Sequence, residues 1–344
     1  MDVRPILAID AMGGDFGPSV IVPGAIQAAR DLRVKVLLVG DTPQVEAELV
    51  KLALGKAEYE IVHASETVHM HEKPSDILRR KKDSSIQVAC KLARDGAADG
   101  VISAGHSGAT AACGIFTIGR IPGVERPALA TFLPTEKNPI VVLDAGANVD
   151  CRPYHLLQFG LMGDAFARDI FGYPSPRVAL LSIGEEEGKG NHQVKEAYEL
   201  FKMTEHVNFV GNAEGRDIFS GDMDVVVCDG FVGNIILKMS EGMAVSMMRM
   251  LRRELTSDFV TKIGAMLAKP AFKRFINVVD YAEYGGAPLL GLKGICIVCH
   301  GKSNPKALVS AAKMAATFVE KGTNQRLRDS IVSNEELTRF SRAL

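Results

Sequence analysis

The chain has 344 residues, 47% hydrophobic and 24% charged, with 40 Lys and Arg against 41 Asp and Glu. That composition excludes a disordered or fibrous chain, and a net charge of −1 excludes a general nucleic-acid binder, which needs a basic field. The absence of Trp and an aromatic content of 6% also remove the stacking platforms on which single strands bind.

The first ten residues enter an apolar segment directly, without the basic region, long apolar core and cleavage site of a signal peptide. No stretch reaches the ~18–20 apolar residues of a spanning helix. Six Cys are too few for a disulfide scaffold. Cys90, Cys113 and Cys228 sit in apolar runs, so the thiols read as reduced and buried in a cytoplasmic protein.

In chain order, apolar runs rich in Val, Ile and Leu fall at 6–9, 34–39, 100–103, 140–143, 178–183, 224–228 and 295–299. Several are continuous rather than alternating, as strands buried on both faces are. Helix-period segments lie between them at 18–32, 43–54, 84–94, 107–118, 153–171, 192–203 and 304–320. Gly172 and Pro174 follow the fifth of these, a helix stop signal. The alternation predicts an α/β fold in three layers, α/β/α, with a mostly parallel sheet covered on both faces. With no Pro/Ser-rich linker and no repeat, residues 1–344 read as a single large α/β unit.

Segment 238–279 departs from this pattern: it is helical throughout and predicts a hairpin inserted in that unit. It carries Lys238, Arg249, Arg252, Arg253, Lys262, Lys269, Lys273 and Arg274 against Glu241, Glu254 and Asp258. Its apolar residues are Met- and Phe-rich, including Met239, Met243, Met247, Met250, Phe272 and Phe275. Such a hairpin packs on the body or on a second subunit, or touches a membrane surface or an acidic partner. The two are compatible if the base packs and the tip is free.

Most strand runs end in Gly with small polar residues: IDAMGGDFGP (9–18), ISAGHSG (102–108), VLDAGANVD (142–150), LSIGEEEGKGN (181–191), VCDGFVGN (227–234) and VCHGKSN (298–304). In an open parallel sheet, ligands bind beyond the carboxyl ends of the strands. Six such loops on one edge predict a large site rich in backbone N–H donors, with helix N-termini behind them. An anion such as phosphate is the natural guest. Several apparent motifs fail on inspection. Gly184 to Gly188 is one residue short of a P-loop, Gly190 stands where Ser or Thr should bind magnesium, and three successive Glu would repel a triphosphate. Cys296 to His300 matches the CxxCH of haem attachment, but on a strand the two Cys point to opposite faces. His69 and His71 have no companion ligands for a metal. The run from Arg79 to Lys82 reads as a solvated face or a dock for an acidic protein. No nucleophile-elbow spacing is present.

Taken together these motifs resemble the bacterial acyl-ACP:phosphate acyltransferase family of phospholipid synthesis (ACP, acyl-carrier protein). The likeness is carried by the 9–18 loop, EKPS (72–75), RRKKDSS (79–85), SAGHSGA (103–109), LDAGANVDC (143–151), GEEEGKGN (184–191), GNAEGRDI (211–218), CDGFVGNIILK (228–238), YGGAPLLGLKG (284–294) and CHGKSN (299–304), over about residues 6–335. One departure is His106-Ser107, where the family more often has Asn-Thr; both pairs hydrogen-bond, but a His also titrates. The resemblance implies a fold related to isocitrate and isopropylmalate dehydrogenases and to phosphotransacetylase, in a homodimer whose hairpin projects toward the membrane. The protein would then be cytoplasmic and peripherally membrane-associated, with no cofactor and no metal. Its substrates would be acyl-ACP and orthophosphate. The acyl phosphate would feed a glycerol-3-phosphate acyltransferase.

The residues suit this chemistry, because partly dianionic phosphate needs no enzyme nucleophile. It needs desolvation, placement against a thioester carbon and donors for the oxyanion. Lys189 is expected to neutralise phosphate and Asn234 to donate to the carbonyl oxygen or phosphate. Asp229 is expected to orient one of these or a proton path to the leaving thiol. Gly13, Gly14, Gly105, Ser107, Asn148, Asn191, Gly301 and Ser303 would form the cradle, with Asp10, His106 and His300 also at the substrate. Two rivals remain. A nicotinamide dehydrogenase would need a dinucleotide fingerprint whose spacing the Gly loops lack. A non-catalytic scaffold recruiting acyl-carrier complexes to the membrane would not need Lys189, Asn191 and Asn234 in Gly loops.

Overall fold

The computed structural model describes residues 4–279 and 285–334, so Tyr284 and residue 335 lie outside the described residues. The strands are β1 (Ile6–Asp10), β2 (Lys35–Gly40), β3 (Glu58–His63), β4 (Gly100–Ser103), β5 (Ala128–Leu129), β6 (Thr131–Leu133), β7 (Ile140–Leu143), β8 (Arg177–Leu181), β9 (Asn208–Ala213), β10 (Val225–Val227), β11 (Ala287–Leu290) and β12 (Ile295–Val298). The helices are α1 (Pro18–Asp31), α2 (Thr42–Leu49), α3 (Pro74–Arg80), α4 (Ser85–Arg94), α5 (Ser107–Cys113), α6 (Pro153–Phe166), α7 (His192–Met203), α8 (Gly230–Leu255), α9 (Phe259–Val279), α10 (Pro305–Lys321) and α11 (Thr323–Ser333). A wider helical turn extends α5 over Gly114–Ile118 and α6 over Ala167–Phe171.

The fold is α/β with mostly parallel pairing, but the strands form two sheets, not the one expected. The first runs β3-β2-β1-β4-β12-β11-β5 and the second β6-β7-β10-β8-β9. Among the strands of the described residues, β11 pairs antiparallel with β12 and β5, and β6 with β7, and the other pairs are parallel. The chain passes between the sheets at Ala130, with β5 on one and β6 on the other. The strands absent from the sequence reading explain the error. β3 and β9 lie at sheet edges, half-exposed, and carry Glu, His, Asn or Gly among their apolar residues. β5 and β6 are two and three residues long, and β11 contains a Pro.

One apolar core still passes through both sheets. It joins Ile9 and Leu38 of the first to Leu143, Leu180 and Val225 of the second, through Phe159 and Phe166 of α6. Cys299 belongs to this core and Cys296 to a second cluster, the opposite faces expected of a strand.

α8 begins at Gly230, eight residues before the predicted hairpin, because Asp229 caps it by accepting from Val232 N at 2.9 Å. The VCDGFVGN segment is therefore part helix, and Asn234 stands on its opening turns. Past that point α8 and α9 are largely exposed, with Met239, Met243, Met247, Phe259, Val260 and Leu267 each more than half accessible.

α6 is buried around its whole circumference. His155 lies in its first turn, 5% exposed, with Nδ1 accepting from Arg152 N at 3.0 Å. Burial, with Arg126 and Arg152 nearby, lowers its pKa to about 4 from 6.5. Between those values the unfolded chain binds a proton that the folded chain refuses. This group's contribution to stability is therefore full above about pH 6.5 and falls by about 3 kcal/mol as pH drops to 4. Urea unfolding across that window should show the slope reduced in His155→Gln. Identical slopes would remove His155 as its source.

Candidate active site

The Gly loops fall into two sets of three rather than one edge of six. In the first sheet, Ile9 pairs with Ile102 and Val298 with Ser103, so the loops after β1, β4 and β12 emerge side by side. Asp10, at the end of β1, is 4% exposed. Its carboxylate accepts from Ser103 Oγ at 2.7 Å and from Met12 N at 3.2 Å. Ser103 Oγ in turn accepts from Gly105 N at 3.1 Å and Thr110 Oγ1 at 3.3 Å. Burial pushes the Asp10 carboxyl up from its usual range, against hydrogen bonds from Ser85, Ser103, Met12 and Gly13. A cavity of about 10 Å³ beside it is lined by Gly13, Ser85, Gly105, His106 and Thr110, roughly the room one water needs. Asp10 therefore acts as a brace for its loop.

Gly14 has φ of +86°, and a Cβ there would approach the Gly301 carbonyl oxygen to 3.2 Å. That left-handed backbone lets the first loop pass over the third, where Asp15 N donates to Gly301 O at 2.8 Å. Ser303 is buried, its N–H donating to His300 O at 2.8 Å, while His300 is exposed and accepts from Lys302 N through Nδ1 at 3.1 Å. His106 Nδ1 accepts from Ala109 N at 3.2 Å and so caps α5, with Ser107 exposed beside it. An Asn carbonyl oxygen performs the same capping, which accounts physically for a His in this position.

In the second sheet Val227 pairs with both Leu143 and Leu180, aligning the loops after β7, β10 and β8. Asp144 is fully buried. It accepts from Leu129 N at 2.8 Å, Gly146 N at 3.3 Å, Ala147 N at 3.1 Å, Asn148 N at 2.6 Å and Asn148 Nδ2 at 2.9 Å. Asn148 Nδ2 also donates to Pro127 O at 2.8 Å. The Asn148 side-chain donor, expected in the cradle, is thus committed to the loop itself, because its amide closes onto Asp144.

Asn234 is exposed and lies over Gly146, where an added Cβ would approach its side chain to 3.5 Å. Asp229 is half-buried in its capping bond. Lys189 is exposed on the β8 loop, and its ammonium has no partner among the described residues. Asn191, also exposed, caps α7 by accepting from Val194 N at 2.9 Å.

Sequence reasoning missed Asp144, Ser103, Ser85 and Thr110 as parts of the site. The signal for Asp144 was present: a buried strand followed by Asp-Ala and then Gly occurs at both Asp10 and Asp144. The two loop sets are linked through β5. Leu129 N reaches Asp144, Ala145 N donates to Leu129 O at 2.8 Å, and Ala147 packs against the cluster holding Ala109 and Cys113. The cysteines offer no nucleophile, since burial pushes the Cys113, Cys296 and Cys299 thiols up to about 12. Among the described residues no three His, Cys, Asp or Glu side chains group as a metal site.

Glycine-rich loops, helix N-termini and a Lys without a partner among the described residues lie at the carboxyl ends of parallel strands, where α/β enzymes bind anionic ligands. A family model described as "Fatty acid synthesis protein" matches residues 6–326. Phosphate acyltransferase of Nitratidesulfovibrio vulgaris (strain DP4) is 68% identical over 339 residues, covering 98% of each chain. Phosphate acyltransferase of Lawsonia intracellularis is 64% identical over 97% of this chain and 96% of its own. Among solved structures, a phosphotransacetylase from Streptococcus pyogenes shares the fold with a TM-score of 0.61 at 17% identity, over 92% of this chain and 94% of its own. The chain belongs to the phosphate acyltransferase family, and it is an acyltransferase enzyme of fatty-acid and phospholipid synthesis.

Proposed function

We propose that the protein transfers a fatty acyl group from the thioester of acyl-carrier protein to orthophosphate. A phosphate oxygen attacks the thioester carbonyl carbon, a C–O bond forms, the C–S bond breaks and the carrier thiolate takes up a proton. The products are acyl phosphate and free carrier thiol. The observation that carries this reading is Lys189, a cation without a partner among the described residues, on a Gly loop at the same sheet edge as Asn234. Lys189 balances phosphate and Asn234 donates to the developing oxyanion without adding charge. Asp229 fixes the opening of α8, on which Asn234 stands, and the Asp10 and Asp144 loops form the backbone cradle.

The test is phosphate-dependent consumption of long-chain acyl-ACP, with acyl phosphate trapped by hydroxylamine. Trapped product that requires phosphate supports the reading; thioester loss without phosphate points to a hydrolase.

The partners follow from the surface. Arg79 and Arg80, exposed on the last turn of α3, suit an acidic carrier protein. The hairpin combines exposed Met and Phe with a basic excess, which suits a cytoplasmic homodimer that rests on an anionic lipid surface and passes acyl phosphate to a membrane glycerol-3-phosphate acyltransferase. No helix among the described residues is long and apolar enough to cross a membrane. Cosedimentation with anionic vesicles is expected at low salt and should weaken at high salt. Failure to bind at low salt would remove the membrane role.

A further inference from the structure

The segment GNAEGRDI (211–218) has no part in the chemistry above, yet it is bound to the Lys189 loop at several points. Asn212, on β9, is 8% exposed, and its Nδ2 donates to the Glu186 carbonyl oxygen at 2.9 Å. That same carbonyl accepts from Lys189 N at 3.0 Å. One oxygen therefore holds both the clamp and the turn that presents Lys189. The Oδ1 of Asn212 is buried and has no partner among the described residues, so the hydrogen bonding of this side chain goes to the loop alone.

The neighbouring carboxylates are turned to other cations. Glu187 pairs with Lys202 at 2.5 Å, and Glu185 lies 3.6 Å from Arg216, which also pairs with Glu214 at 3.0 Å. Two of the three Glu that would cancel the charge of Lys189 are thus engaged elsewhere. The exposed pairs contribute little to stability individually, but they set where negative charge lies.

We infer that Asn212 is a positioning residue: through the Glu186 carbonyl it fixes the turn that delivers the Lys189 ammonium to phosphate. This rests on the acyl-transfer reading of Lys189. A misplacement of about 1 Å at a reacting centre costs up to ~10²-fold, so Asn212→Ala is expected to lower kcat/KM for phosphate by about 10- to 100-fold. A residue that acts only through Lys189 has nothing left to position once Lys189 is gone. In a Lys189→Ala background, Asn212→Ala should therefore cost less than about 2-fold more. Equal losses in both backgrounds, or no loss in the single variant, would overturn the inference.

Hydrogen exchange supplies a readout independent of activity. Amides of residues 186–190 should exchange faster in Asn212→Ala, with exchange in α1 and α10 unchanged. Unchanged exchange at 186–190 would overturn the clamp whatever the kinetics show. Full turnover in Lys189→Ala alone would instead overturn the role given to Lys189.

Discussion

Replacing Lys189 with alanine is expected to lower phosphate-dependent turnover by about 10²–10³-fold, equivalent to about 3–4 kcal/mol of transition-state stabilisation. A cation about 4 Å from a unit negative charge gains about 4 kcal/mol at an effective dielectric of 20 and about 1 kcal/mol in bulk water. Lys189 is exposed in the free protein, so most of its worth appears only when the acyl chain and carrier exclude water from the loop. In the proposed reaction the charge it faces also changes, as negative charge spreads from phosphate to the thioester oxygen. The loss should therefore fall on kcat as well as on KM for phosphate. Lys189→Arg keeps the charge but not the compact ammonium, and is expected to recover only part of the activity. The measurement is hydroxylamine-trapped acyl phosphate at saturating acyl-ACP over a phosphate titration. A folded Lys189→Ala enzyme with near-normal turnover would place the neutralising charge elsewhere.

The central strands were legible because burial on both faces leaves an unbroken apolar run. β4 and β7 fall at 100–103 and 140–143, as their Val and Ile content predicts. α7 was legible at both ends, since Asn191 caps it and its apolar period ends at Met203. The division into two sheets was not legible. It depends on five residues of β5 and β6 whose pairing partners, β11 and β7, lie far apart in sequence, and no local pattern encodes which sheet a short strand joins. The site was legible as loops but not as side-chain roles. Asp10 and Asn148 read as ligands because they are polar and lie in Gly-containing loops, and their side chains hydrogen-bond within those loops and to the neighbouring Ser103 and Pro127. Asn234 and Lys189 project instead from backbone that other side chains hold, Asp229 at the start of α8 and Asn212 at the Lys189 turn. Whether a polar side chain holds the loop or faces the ligand is decided by packing from other strands, which spacing along the chain does not report.

Gly233→Ala pits helix propensity against packing, and packing should win by a wide margin. Gly233 lies in the first turns of α8, where alanine is favoured over glycine by about 1 kcal/mol. A methyl group there, however, would overlap the carbonyl oxygen of Asp144 and come within 3.1 Å of Cys228 Sγ. The obstructing atom is backbone, and it is fixed. Asp144 N donates to Cys228 O at 2.9 Å while Cys228 N donates to Leu143 O at 2.6 Å, and the Asp144 carboxylate holds Gly146, Ala147 and Asn148. Relief therefore requires α8 to lift from the sheet edge. That movement exposes the buried Asp144 loop and carries Asn234 away from Gly146. The expected cost is about 3 kcal/mol or more in unfolding free energy, together with loss of turnover in whatever fraction folds. Gly242→Ala, in the same helix with nothing within 4 Å of the added carbon, isolates the opposing effect. It should stabilise by up to about 1 kcal/mol with turnover intact. Urea unfolding of the two variants beside the parent decides the matter. If Gly233→Ala were as stable as Gly242→Ala, α8 would not be docked on Asp144, and Asn234 would have no fixed place in the site.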